Sequence, residues 1–344
     1  MAKYRIAIVG FGVVGRGIGA ILHEKRDFLK ARYDFDFDVV GISDLIWDTV
    51  YNPDGIDLGK ALDLVGKKEK LDPLGEVLPD SLTMIRETDY DILLEITPTN
   101  METGDPGYTH IREALKRGKH VATTNKGPIA LHYRELSELA AQNGAELRFE
   151  GTVLSGTPTI NMALKDLAGC EFSEIRGILN GTTNFILTEM EKGKSYEEAL
   201  KEAQRLGYAE AKPDADVEGW DAMAKIIILA NVVMGGDVSK DDVSRTGITG
   251  LTIEDVENAR KAGKKWKLVG RAWREGGKVK AAVAPMEVGP DDFLYHVQGV
   301  LNAVVFSTDI IGDVTVVGRG AGSKEAGYAL LTDVLDIHRK LTGR

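Results

Sequence analysis

Cysteine is almost missing from this chain. Cys170 is the one thiol in 344 residues, so no disulfide can close within the chain, and the usage fits a reducing cytoplasm. No apolar run approaches the length of a membrane span. The short apolar stretch at residues 6–9 ends in glycine, not in a cleavage site, so it reads as a strand and not as a signal peptide. An excess of positive charge is also absent: the net charge of −10 argues against a general nucleic-acid binder. There are no internal repeats and no low-complexity tail. What is left, 43% hydrophobic with 28% charged residues, is the balance of a soluble globular protein, and the length allows two domains.

Residues 5–9 make an apolar strand that runs into Gly10-Phe11-Gly12-Val13-Val14-Gly15 and then a helix over about residues 16–25. Strand, glycine loop and helix together form the context of a dinucleotide fingerprint. Gly10 allows the tight turn, Gly12 lets backbone approach a pyrophosphate, and Gly15 lets helix pack on strand. The helix N-terminus offers free N–H groups to phosphates. A second strand over residues 35–43 ends at Asp44. An acid there would bond the adenosine ribose hydroxyls and repel a 2′-phosphate, which favours NAD over NADP; the alternative is a loop cap. Its distance from the glycine loop exceeds the usual spacing, so the helix or its exit carries an insertion.

Residues 45–82 give no clear pattern beyond a short helix at 57–67. Strands follow at 91–97, 119–124 and 145–149, with helices at 106–117 and 131–142. This alternation predicts a doubly wound parallel sheet with helices on both faces, whose ligands bind at the carboxyl ends of the strands. Asp44, Thr97, Asn125 and Lys126 fall at such ends. Lys126 is thus a candidate for the reacting oxygen, or a solvated loop lysine.

After residue 149 the texture changes. A glycine-rich turn at 150–158 precedes helices at 161–167 and 196–206 and a strand at 175–179. The polar cluster Asn180-Gly181-Thr182-Thr183-Asn184 lies between apolar runs, where it can aim hydroxyls and N–H groups into a cleft or simply cap a helix. Farther on, a helix is expected at 253–266, paired strands at 267–273 and 278–284, and two more strands at 302–307 and 313–317. A last glycine loop, 318–322, leads into a helix over about 324–341 that returns to the first domain.

The stretch from Gly207 to Ala230 gathers Glu210, Asp214, Asp216, Glu218 and Asp221 ahead of one cation, Lys225, and an apolar run. On a helix beginning at Trp220, Asp221 and Lys225 share one face. An ordinary exposed ion pair has the same spacing. Here the lysine stands where polar loop meets apolar interior, the setting in which a lysine becomes a proton donor or acceptor.

Assembled, these residues resemble a homoserine dehydrogenase of the short, single-function kind over nearly the whole chain. The marks are Asn180-Gly-Thr-Thr-Asn-Phe-Ile-Leu187 and Gly207-Tyr-Ala-Glu-x-x-Pro-x-x-Asp-Val-x-Gly-x-Asp-Ala-x-x-Lys225, with Thr124-Asn-Lys126, Glu150-Gly-Thr-Val-x-Ser-Gly-Thr-Pro158, Gly247-Ile-Thr249 and Gly318-x-Gly-Ala-Gly322 in support. The resemblance implies a Rossmann-type domain over 1–148, joined by the helix of 319–344, and an α+β catalytic domain over 149–318 that dimerises through a sheet. It implies cytoplasmic, reversible NAD(P)-dependent oxidation of L-homoserine to L-aspartate 4-semialdehyde in threonine, isoleucine and methionine synthesis. Lys225 and Lys126 would flank the reacting oxygen. Glu210 and Asp221 would hold the substrate or the catalytic lysine, and Asp216 with Gly181, Thr182 and Thr183 would line the pocket. The cofactor would lie on residues 10–15, Asp44, Thr97, Pro98, Thr124, Asn125, Lys126 and Gly322. Glu150, with the backbone carbonyls of Val153, Ser155 and Thr157, would match a structural sodium site.

Two positions depart from the family pattern: Lys212 replaces an acid, and Glu325-Ala326 replaces Thr-Ala. No regulatory domain is expected after residue 344 and no kinase domain before residue 1. An acylating semialdehyde dehydrogenase would need a nucleophilic cysteine, and Cys170 sits in an apparent turn without a histidine partner. A dimeric nucleotide sensor without catalysis would not need Lys126, Glu210, Asp221 and Lys225 together.

Overall fold

The computed structural model describes residues 3–343. In chain order the elements are β1 (Lys3–Val9), α1 (Val13–Tyr33), β2 (Asp36–Asp44), β3 (Asp48–Tyr51), α2 (Leu58–Gly66), β4 (Glu76–Leu78), α3 (Ser81–Glu87), β5 (Ile92–Glu95), α4 (Gly107–Lys116), β6 (His120–Thr123), α5 (Lys126–Gln142), β7 (Leu147–Arg148), β8 (Phe172–Ile178), α6 (Gly181–Glu191), α7 (Tyr196–Arg205), α8 (Asp214–Val217), α9 (Trp220–Val232), β9 (Ser244–Arg245), α10 (Ile253–Lys261), β10 (Lys265–Glu275), β11 (Lys278–Val288), β12 (Leu301–Thr308), β13 (Gly312–Arg319) and α11 (Ser323–Thr342). They form two compact units. One holds the described residues up to Gly156 and from Gly322 onward, and the other is Thr157–Ala321.

The first unit is built on a seven-stranded sheet in the order β4-β3-β2-β1-β5-β6-β7. Strands β2, β1, β5, β6 and β7 are parallel; β3 and β4 add antiparallel at one edge. The chain leaves β1 toward β2 and returns on its other side at β5, so the order reverses between β1 and β5, where open α/β sheets bind ligands. Gly10 lies at that point. Its N–H donates to the Ser43 carbonyl at 2.8 Å, while the Ile96 N–H donates to Val9.

Helix α1 is longer than the residues suggested: it runs to Tyr33 and not to residue 25. The charged run Glu24-Lys25-Arg26-Asp27 occupies its exposed face, and Ile18, Leu22 and Leu29 continue the buried stripe. The extra turns account for the long spacing to Asp44. Leu330, Leu331, Val334 and Ile337 of α11 join the same core. The two helices approach closely at glycines: a Cβ on Gly17 would lie 2.2 Å from the Ser323 carbonyl oxygen, and one on Gly327 would lie 2.7 Å from the Ile18 nitrogen.

The second unit carries a six-stranded sheet in the order β13-β12-β8-β10-β11-β9, antiparallel except for the β11–β9 pair. Helix α9 packs on β10 and β11 and is buried from Ala222 to Ala230. Its apolar residues run all round, as a core helix requires. Three local expectations are corrected. Helix α10 stops at Lys261, because Gly263 takes a left-handed φ of 73° and frees the chain to enter β10. The helix expected at 161–167 is shorter, a single π-helical turn over Met162–Asp166. The strand expected at 145–149 pairs only over Leu147–Arg148.

Candidate active site

The glycine turn of the first unit is explained position by position. Gly10 has φ of 96°, and a Cβ there would lie 2.6 Å from the Ile96 carbonyl oxygen. A Cβ on Gly15 would lie 2.1 Å from the Gly10 carbonyl oxygen. Gly12 differs: a Cβ there meets nothing within 4 Å, so the protein itself does not demand glycine. It stands at the N-terminus of α1, which has no side-chain cap and no acid in its first turn. Open backbone at an uncapped helix start fits a pyrophosphate. The Phe11 ring is fully buried, Val13 is exposed and Val14 is half-buried. The start of α11 lies against the same turn: Ser323 Oγ donates to the Val13 carbonyl at 2.7 Å, and Gly322, at φ 141°, precedes it.

Asp44 faces this turn. One carboxylate oxygen accepts the Phe11 N–H at 2.8 Å and the other accepts the Ile46 N–H at 2.8 Å. It therefore caps the local backbone on both sides of this turn.

At the ends of β5 and β6 the sequence concealed a hub. Glu95 is fully buried. It accepts the Thr97 hydroxyl and, at 3.2 Å each, the Thr97 N–H and the Thr123 hydroxyl. His110 Nδ1 lies 3.5 Å away. Asn125, the N-cap of α5, donates to Thr97 Oγ1 at 3.2 Å and to the Pro98 carbonyl at 3.5 Å. Thr124 packs over Gly151, where a Cβ would lie 2.5 Å from its methyl. Lys126 is the first residue of α5, half-buried, and not part of a loop. The one signal for Glu95 was an acid inside an apolar strand.

Glu150 is buried, and its N–H donates to Asp333 at 3.0 Å. Burial, then the Glu150 carboxylate, pushes the Asp333 carboxyl well above the ordinary range. Val153 donates to the Glu150 carbonyl at 3.3 Å. Leu154 and Ser155 are both left-handed, and among the described residues the buried Ser155 hydroxyl has no hydrogen-bond partner. An orphaned buried hydroxyl in a sharply turned segment fits a cation-binding turn. Thr157 opens the second unit, its carbonyl accepting from Thr159 Oγ1 at 2.9 Å. Among the described residues no group of three or more His, Cys, Asp or Glu side chains could hold a metal, so a cation here would depend on carbonyl oxygens.

In the second unit, Lys225 is 7% exposed and is held from two sides. Its ammonium donates to the Leu179 carbonyl at 2.7 Å and to Asp221 Oδ2 at 2.7 Å. The pair is the i,i+4 contact that the sequence spacing allowed, with Lys225 buried and Asp221 half-buried. Asn180 caps α6, its side-chain oxygen accepting the Thr183 N–H at 2.9 Å. Its amide nitrogen donates to Asp216 at 2.7 Å and to Asp221 at 2.9 Å. Burial, then Asp221, raises the Asp216 carboxyl; bonds from Asn180 and Thr182 oppose the rise. Thr182 donates to the Tyr208 carbonyl at 2.7 Å. Gly181 is required by close packing, since a Cβ would lie 2.7 Å from the Val300 carbonyl oxygen. The structure thus brings Asp216, Asp221, Lys225 and the 181–183 turn together. Glu210 is exposed on the preceding loop, and among the described residues its carboxylate is not joined to that group. Its backbone carbonyl accepts from Gln204 at 3.1 Å.

Comparison with known proteins agrees along the chain. Residues 10–150 match the family model for the NAD binding domain of homoserine dehydrogenase, and residues 158–335 match the homoserine dehydrogenase model. A Pseudomonas canavaninivorans protein named NAD(+)-dependent homoserine dehydrogenase is 42% identical, covering 99% of this chain and 98% of its own length. A homoserine dehydrogenase of Methanocaldococcus jannaschii is 46% identical, covering 97% and 98%. A solved hyperthermophilic archaeal homoserine dehydrogenase mutant, in complex with NADPH, superposes with a TM-score of 0.85 at 31% identity, covering 98% of each chain. No described helix is long and apolar enough to cross a membrane.

Proposed function

The chain belongs to the homoserine dehydrogenase family of oxidoreductases, and on that premise we propose that it interconverts L-homoserine and L-aspartate 4-semialdehyde, with NAD or NADP as cofactor and Lys225 and Lys126 as catalytic residues. The observation that carries this reading is the seating of Lys225. Among the described residues two of the ammonium's three donors are taken, by Leu179 and Asp221, which leaves the third for a substrate oxygen.

Bound NAD or NADP supplies the hydride-accepting nicotinamide carbon. In the reducing direction the Lys225 ammonium donates a proton to the oxygen of the forming alcohol and recovers one from solvent. In the oxidising direction the neutral amine takes the hydroxyl proton. Lys126 adds positive charge that stabilises the alkoxide. Asp221 orients Lys225, Glu210 binds the substrate, and Asp216 with Gly181, Thr182 and Thr183 lines the pocket. The first unit holds the cofactor through residues 10–15, Asp44, Thr97, Pro98, Thr124, Asn125 and Gly322, with Asp44 favouring NAD. Glu150 and the carbonyls of Val153, Ser155 and Thr157 hold a structural sodium ion. The enzyme works as a cytoplasmic homodimer, paired through the sheet of the second unit, and serves threonine, isoleucine and methionine synthesis.

The test is steady-state kinetics with homoserine on the Lys225→Ala variant, beside a cofactor titration. Turnover is expected to vanish while cofactor affinity stays near that of the parent. Parent-like turnover would refute the assignment.

A further inference from the structure

We propose that Asn180 is a positioning residue: its side-chain amide fixes Asp216 and Asp221 in one arrangement and, through Asp221, fixes Lys225. The proposal rests on the reading of this pocket as the homoserine site.

The orientation of the amide is determined by its surroundings. The Asn180 oxygen accepts the Thr183 N–H at 2.9 Å and the Thr183 hydroxyl at 3.1 Å. Only an acceptor suits that side, so the NH2 must face the acids. Its two hydrogens then serve two carboxylates, at 2.7 Å to Asp216 Oδ1 and 2.9 Å to Asp221 Oδ2. The same Asp221 oxygen accepts from Lys225, and Lys225 also donates to the carbonyl of Leu179, the residue before Asn180. The contacts therefore close a ring: Leu179 carbonyl, Lys225 ammonium, Asp221 carboxylate, Asn180 amide, and back through one peptide unit. A member of a closed ring cannot shift alone. Asp216 hangs from that ring by the second amide hydrogen.

The three side chains come from the start of α6, from α8 and from the first turn of α9. The tight turn between α8 and α9, where the Gly219 N–H donates to the Asp216 carbonyl at 2.9 Å, brings the two acids near one another, and like charges at short range repel. Asn180 is 5% exposed, so its donors are not exchanged for bulk water. The groups that act on Asp216 are Asp221 and Lys225 of α9, and Asn180 and Thr182 at the start of α6. Removing the amide takes away one of the two bonds that favour the charged carboxylate.

The cap and the clamp are separable, because Ser and Asp both cap helices well and neither supplies the NH2. The experiment uses the full chain, comparing the parent with Asn180→Ser and Asn180→Asp. KM for homoserine is expected to rise about tenfold or more in Asn180→Ser, the size of one lost charge-assisted bond. It should rise further in Asn180→Asp, which brings a third carboxylate. The acid limb of kcat/KM for homoserine should move to higher pH in both, while KM for NAD stays unchanged. A purely structural role would move none of these with the cap retained. Parent-like KM and pH profile in both variants would overturn the proposal, and so would loss of the fold in both. If the parent itself fails to oxidise homoserine, the reading of the pocket fails first; if the parent is active and the variants match it, the Asn180 assignment fails alone.

Discussion

Gly12→Ala separates a glycine kept for a ligand from one kept for the fold. In the structure an added Cβ at Gly12 meets no atom within 4 Å, whereas at Gly15 it would lie 2.1 Å from the Gly10 carbonyl oxygen. The first substitution should therefore leave the apo fold within about 1 kcal/mol of the parent. The second forces the strand-to-helix turn apart. If the open space over Gly12 receives a pyrophosphate, a methyl there pushes a phosphate away from the uncapped N–H groups of α1. Loss of one charge-assisted bond, about 1.5–3 kcal/mol, weakens binding roughly 10- to 150-fold. The assay is titration of NADH fluorescence together with thermal unfolding of the apo protein. Gly12→Ala should lose affinity with its unfolding midpoint kept within a few degrees, and Gly15→Ala should lose both. Affinity in Gly12→Ala within a factor of about two of the parent would refute the reasoning, since a tenfold loss already corresponds to only one weak bond.

Two further expectations follow from single residues. Burial and Asp221 raise the Asp216 carboxyl, so its ionised form is lost, as pH falls, earlier than that of an ordinary aspartate. The acid limb of kcat/KM for homoserine should follow that loss and should disappear in Asp216→Asn, with KM raised; an unchanged limb in that variant contradicts the assignment. Asp44→Ser should raise KM for NAD about tenfold, one hydrogen bond's worth, and leave KM for NADP unchanged or lower. An equal rise for both cofactors would mean that Asp44 acts only through the N–H groups of Phe11 and Ile46 that it caps.

The glycine turn was readable from the residues because Gly10 and Gly15 answer local needs that a side chain would violate, and Gly12 stands between them at the spacing of the fingerprint. The Asp221–Lys225 pair was readable for the same reason: helical spacing alone brings the two together. The hairpin-like edge of β3 and β4 was not, since four- and three-residue strands between turn residues carry no measurable alternation. The length of α1 was hidden by a charged run that lies on its solvent face, and the end of α10 by polar and aromatic residues that continue past Gly263. Long-range polar hubs were the least visible. Glu95 gathers Thr123 from 28 residues away, and Asn180 meets acids 36 and 41 residues farther along. In sequence Asn180 opens a polar cluster that could line a cleft or cap a helix; only the convergence of α8 and α9 gives its amide two carboxylates. Glu210 shows the converse, a motif residue left exposed on its loop.

The central claim is that this chain oxidises an amino alcohol at the expense of a nicotinamide cofactor. Its most direct test is the initial rate of coenzyme reduction with L-homoserine and either NAD or NADP. Homoserine-dependent reduction, faster with NAD and absent without the amino alcohol, is the predicted result; no reduction of either coenzyme by the folded, cofactor-binding protein would contradict it.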